Sequence, residues 1–179
     1  MMRLPFLVLI LSSFGYAATS PHALIHNIPS RTTISLNGAW QAIIDPYETG
    51  LNARFYLNVK PKDKHELVEY DFDKSDVLNV PGDWNSQKRE LFFYEGPVWY
   101  KKSFSYRKRE HTRVFVYFGA ANYFTRVYLN GQALGEHEGG FTPFNFEITD
   151  KIKDGDNFLI AEVNNARRRD AVPSVNSDW

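Results

Sequence analysis

His137-Glu138 is where this sequence comes nearest to a metal motif. A zinc-protease helix would carry a second histidine four residues on, so that both ligands share one helical face. Position 141 is Phe, and Gly139 and Gly140 disfavour a helix. The pair therefore reads as a bend, with no metal role. The other histidines, His22, His26, His65 and His111, are scattered. Asp154-Gly155-Asp156 offers hard oxygen ligands, but the spacing of a calcium loop is incomplete and a hairpin turn accounts for it. Arg167, Arg168, Arg169 and Asp170 form a basic run that reads as solvated or internally paired. Acid–base work on a glycosidic bond needs two carboxyl groups about 5 to 10 Å apart. Asp83, Glu95, Glu138 and Asp178 are candidates, and the sequence alone brings no two of them together. No G-x-S-x-G elbow, phosphate-cradling glycine loop or cysteine is present, so no catalytic residue, metal or cofactor is expected.

The elements that would position these residues are strands. Of 179 residues 43% are hydrophobic and 16% aromatic, with 14 Phe, 10 Tyr and 4 Trp, a bias toward side chains that suit pleated surfaces. Alternation is explicit in "FNFEI", where Phe144, Phe146 and Ile148 share one face and Asn145 and Glu147 the other. It recurs in "GPVWYKKSF" and in Tyr123, Thr125, Val127 and Leu129, which Asn130-Gly131 ends as a two-residue hairpin. "RVFVYFG" is a continuous apolar run suited to burial on both faces, and "NFLIAEVNN" follows the Asp154-Gly155 turn. "TTISLNGAWQAII" reads as strand, turn, strand about Asn37-Gly38, and "VLNVPGDW" as a strand ended by Pro81-Gly82. Residues 45–73 lack periodicity and read as a surface excursion with room for one helical turn. About eight short strands without a long amphipathic helix imply an all-β, two-sheet antiparallel β-sandwich or jelly roll.

Residues 1–17, "MMRLPFLVLILSSFGYA", have the charged start, short apolar stretch and small residues of a cleaved secretory signal. An exported, periplasmic or extracellular protein is expected, with a polar lead over 18–34 and one domain over 35–179. Twenty-one basic and twenty-one acidic residues cancel, which disfavours nucleic acid or an anionic membrane as partner.

Five segments, "SLNGAWQ", "VPGDWN", "GPVWYKKSF", "FGAANYFTRVYLNGQALGEHEGGFTPFNFEIT" and "NFLIAEVNNARRRDAVP", stand in the order found in one family. From about Ser35 to Trp179 the chain resembles the N-terminal sugar-binding jelly roll, galactose-binding-domain-like, of glycoside hydrolase family 2, on its β-glucuronidase and β-galactosidase branch. The resemblance implies a non-catalytic domain, cut short at its C-terminus, of a retaining β-glycosidase. Its immunoglobulin-like and (β/α)8 partners, the latter with two catalytic glutamates, would lie outside this chain, which alone should be inactive. It implies that Asp178, in "NSDW" beside Trp179, extends to hydrogen-bond a substrate hydroxyl, and that family members form homo-oligomers on β-glycosides. Lys101 stands where some galactosidases carry asparagine. It reads either as an outward-facing strand lysine or as a contact to an acidic sugar. Two rival readings remain: a free-standing carbohydrate-binding module using Trp84, Trp99 and Tyr94 for stacking, and a structural or oligomerisation domain.

Overall fold

Alternating side chains with one apolar face can be buried only against a second layer. The computed structural model, which describes residues 23–63, 65–66 and 70–167, arranges eight strands in two antiparallel sheets. In chain order they are β1 (Gly38–Ile44), β2 (Asp76–Val80), β3 (Pro97–Tyr106), β4 (Phe115–Phe118), β5 (Phe124–Leu129), β6 (Gln132–Glu138), β7 (Phe144–Glu147) and β8 (Gly155–Asn164). The large sheet runs β2-β1-β3-β8-β5-β6 and the small one is β4-β7. The β-sandwich expected from the sequence is what forms.

Between the sheets lie Trp40, Val98, Tyr100, Val127, Leu129 and Leu159 from one layer and Val116, Phe144, Phe146 and Ile148 from the other. Each fully buried side chain of this size contributes about 1.5–3 kcal/mol, which makes the "FNFEI" strip a principal stabilising contact. The β5–β6 hairpin turns as its sequence requires, Asn130 and Gly131 having φ of 52° and 81°. A bulge follows: Val127 pairs with Gly135 but Tyr128 with Ala133, which leaves Leu134 as the extra residue.

Several expectations are corrected. Among the described residues no strand precedes Gly38; Leu36 instead gives its carbonyl to the Trp40 indole N–H at 2.8 Å, and Gly38 opens β1 with φ 102°. The β4 run is not buried on both faces, because a two-stranded layer covers only one side and Tyr117 is exposed. His137 and Glu138 belong to β6, and the bend comes after them at Gly139, φ 138°. Asn145 does not face water: it is buried, accepting from Ile25 N–H at 2.8 Å and donating to Ala23 carbonyl at 3.3 Å, so the N-terminal lead closes over β7.

The largest correction concerns residues 45–73. Most of the described residues there are on the surface as expected, but Phe55 and Phe72 reach inward over the outer face of the six-stranded sheet and complete a second apolar cluster with Ile43, Trp99, Tyr128 and Ile160. The expected helical turn is two short 3-10 turns, Phe55–Leu57 and Phe72–Lys74. Phe55 meets the Trp99 ring edge-on at 5.6 Å, and Tyr56 stacks on Tyr128 at 4.6 Å. Asp45 pins the start of this layer. Its buried carboxylate accepts from Thr49 N–H (2.9 Å), Thr49 hydroxyl (3.2 Å), Gly50 N–H (2.7 Å) and the Trp99 indole (3.1 Å).

Candidate functional site

Strand β3 carries the first site. Alternation along it sends Trp99, Lys101, Ser103 and Ser105 to the outer face of the sheet. Lys101 does not point into water: its side chain is 4% exposed, its ammonium 3.0 Å from Asp73 Oδ1 and 5.6 Å from the centre of the Phe72 ring. The outward-facing reading is overturned because the covering layer brings Asp73 down over the strand. Asp73 also accepts from Lys60 and, at 3.4 Å, from the Gln41 amide. Hydrogen bonds from Lys60 and then Lys101 hold its carboxyl down to about 2, so it stays ionised. No motif announced Asp73 or Lys60; they reach β3 only through the path of the excursion.

The second place is the end of the sandwich where β8 leaves the sheet. Asn165 accepts from Gly96 N–H at 2.9 Å and donates to Tyr94 carbonyl at 3.4 Å, while Arg167 pairs with Glu95 at 3.0 Å. The chain is thus fixed to the segment preceding β3. At the same end, by strand register, Tyr47, Phe92 and Phe93 are 82%, 61% and 89% exposed. Asp178, Trp179, Arg168, Arg169 and Asp170, like residues 1–17 with their expected signal, lie outside the described residues.

The remaining candidates have structural roles. Asp83 caps the single-turn helix α1 (Trp84–Gln87), accepting from Ser86 N–H at 2.7 Å and Ser86 hydroxyl at 2.8 Å, which lowers its carboxyl below the usual range. Glu95 is held by Arg167. His137 stacks on Phe144 at 4.1 Å and contacts Thr142 hydroxyl at 3.2 Å, and burial lowers its titration. Asp154 accepts from Lys108 N–H. Among the described residues, no three metal-ligating side chains gather, and no helix is long and apolar enough to cross a membrane.

Trp84 and Trp99, put forward for stacking on a sugar, are both buried, Trp84 against Tyr94 and Tyr100 and Trp99 under the covering layer. The Tyr94 hydroxyl is tied to Pro97 carbonyl at 2.9 Å, and burial pushes it up to about 12. These rings cannot serve as an exposed platform. Missed by sequence reasoning was a charged row across three strands: Glu136 and Glu162 face Arg126 directly in β6 and β8 and bond to it at 2.7 and 3.1 Å. Glu162 is buried, and burial raises its carboxyl despite the arginine.

Comparison with known proteins agrees with this geometry. The chain is 32% identical over 121 residues to a β-galactosidase of Thermoanaerobacter pseudethanolicus, covering 63% of this chain and 16% of that protein. It is 30% identical over 136 residues to the β-glucuronidase of Felis catus, 71% of this chain and 20% of the relative. A solved β-glucuronidase from an uncultured Clostridium superposes with a TM-score of 0.66 at 26% identity, over 80% of this chain and 24% of that one. The chain therefore spans less than a quarter of the length of each of these proteins. The family described as the sugar-binding domain of the family 2 glycosyl hydrolases matches residues 33–173, most of the sandwich, and it is to this family that the chain belongs.

Proposed function

We propose that this chain is the non-catalytic sugar-binding module of an exported retaining β-glycosidase, acting on a β-glucuronide or β-galactoside, with Asp178 as its hydrogen-bonding contact to the substrate. The observation that carries the reading is the anchored exit of β8. Asn165 and Arg167 fix the start of the tail that bears Asp178 to the loop before β3, at the end of the sandwich where Tyr47, Phe92 and Phe93 are exposed. Such a rim suits a neighbouring module that performs bond cleavage, and a carboxylate suits charge-assisted hydrogen bonds from sugar hydroxyls. The names of the relatives support the substrate class, and the sequence of residues 1–17 supports export. Lys101 is half of a buried ion pair with Asp73, so any contact with an acidic sugar would run through Asp73 and Lys60. With Trp84 and Trp99 buried, a free-standing lectin using those rings is disfavoured, whereas an accessory role in supporting a neighbouring module fits the same exposed end.

The chain alone should show no turnover of chromogenic β-glucuronides or β-galactosides above a buffer blank. Joined to the remainder of a β-glucuronidase relative in place of that enzyme's own N-terminal domain, it should support hydrolysis, with Asp178→Ala raising KM. Turnover by the chain alone, or a chimera indifferent to Asp178→Ala, would overturn the assignment.

A further inference from the structure

The outer face of the large sheet is covered unevenly. Trp99, Ile160 and Tyr128 lie beneath Phe55, Tyr56 and Phe72, but the next rows are open: Ser103 faces Phe158 and Ser105 faces Asp156 across β3 and β8, and both serines and Asp156 are exposed. The result is a groove of about 500 Å3, with Asn58, Lys60 and Asp73 on its wall and Lys101 at its floor. That volume falls in the range of about 300–1,000 Å3 that small-molecule sites occupy.

The chemistry of the lining narrows the ligand. Two ammonium groups and two carboxylates cancel, so the groove has no net pull on an anion or a cation. Asp73 is already saturated by Lys60, Lys101 and Gln41, which leaves no open carboxylate pair for a metal. What remains is a mixture of donors and acceptors in one concavity. Lys60 donates, Asp156 accepts, and the hydroxyls of Ser103 and Ser105 do both. Phe158 is half-buried, and its cross-strand neighbour is a serine too small to cover it. A pyranose ring presents the complement, with hydroxyls that donate and accept around its rim and an apolar C–H face for an aromatic ring.

We propose that this groove binds a pyranoside, its C–H face on Phe158 and its hydroxyls shared among Ser103, Ser105, Asp156 and Lys60. The inference rests on the carbohydrate reading of the chain, and the two can fail separately. The test is a titration of the isotopically labelled full chain with methyl β-D-galactoside and with methyl β-D-glucuronide, read by amide chemical shifts. Shifts should concentrate at Asn58, Ser103, Ser105 and Phe158, with the neutral galactoside binding at least as tightly as the charged glucuronide. Phe158→Ala should weaken binding about tenfold. Because Phe158 also packs against the second apolar cluster, Ser103→Tyr serves as the second variant: it fills the groove from an exposed position and should abolish the shifts while the rest of the spectrum is unchanged. No shifts, shifts confined to the β8 exit, or undiminished binding by S103Y would overturn the groove and leave the chimera's hydrolysis untouched. Groove binding without any hydrolysis by the chimera would sink only the glycosidase assignment.

Discussion

Asp45→Ala tests whether the covering layer is held by polar satisfaction as well as by apolar burial. The substitution removes the acceptor of four donors. The Thr49 hydroxyl can turn toward water, and Thr49 N–H lies near the surface, so neither should cost much. Gly50 N–H and the Trp99 indole cannot do so, since both residues are buried. Leaving a buried donor unmade costs about 1–3 kcal/mol. Two such groups, at about 1.5 kcal/mol each, give a loss of about 3 kcal/mol. In a domain of this size each kcal/mol lowers Tm by about 2–4 °C, so the fall should be about 6–12 °C. Urea unfolding followed by tryptophan fluorescence reads the change directly, Trp99 being among the residues that lose their environment. Asp45→Asn, which keeps one acceptor oxygen, should fall between, and Thr49→Val should cost less than 1 kcal/mol. A loss below about 1 kcal/mol for Asp45→Ala would refute the reasoning, because it would mean that the layer stays in place without its anchor. The same variant should also weaken the pyranoside groove, since Lys60 and Asp73 reach the sheet on the layer that Asp45 pins.

Three further expectations follow from particular contacts. Gly135→Ala should destabilise by about 1–3 kcal/mol in urea unfolding, because the new methyl would lie 2.6 Å from a ring carbon of Phe146 at a φ of 154°; a neutral result would show that the bulge can shift at no cost. Asp73 and Glu147, each held down to about 2, by Lys60 and by Arg113 respectively, are favoured ionised in the folded state. Their contribution is therefore full above the usual carboxylate range and is lost as the pH falls toward about 2. Urea midpoints should drop between about pH 4.5 and 2, and Glu147→Gln should flatten that slope; a midpoint rising on acidification would contradict the sign. Gln87 caps the outer edge of β2, its side-chain amide accepting from Asn79 N–H at 2.6 Å and donating to Asn79 carbonyl at 3.0 Å. Gln87→Ala opens a pairing edge, and sedimentation velocity should show stronger concentration-dependent self-association than in the parent chain.

How much was legible differs from element to element. Strands β3, β5 and β7 were readable because period-two alternation is a local property, written in the side chains that must share a face, and β8 was read from the Asp154-Gly155 turn before it. The Asn130-Gly131 turn was readable for the same reason, since its backbone angles are a requirement of two adjacent residues. Asp83 was read as a carboxylate of open purpose and proved to be a helix cap, a role that a four-residue helix inside an aromatic loop does not announce. Trp84 and Trp99 illustrate the other limit. An aromatic ring suits a sugar or a core equally well, and only the neighbours decide.

The sequence by itself determined most of the strands, the Asn130-Gly131 turn and the inward strip of Phe144, Phe146 and Ile148, because each follows from interactions spanning a few residues. It also carried the family, through five segments in order. The tertiary structure alone decided that Phe55 and Phe72 of the excursion pack over a sheet, that Lys101 is buried in an ion pair with Asp73, and that a groove remains beside Ser103, Ser105 and Phe158. Those outcomes depend on contacts between residues tens of positions apart, such as Asp73 with Lys101 and Asp45 with Trp99. An aperiodic segment finds its place from the apolar area and the hydrogen-bond partners waiting on another layer, and no pattern within the segment records them.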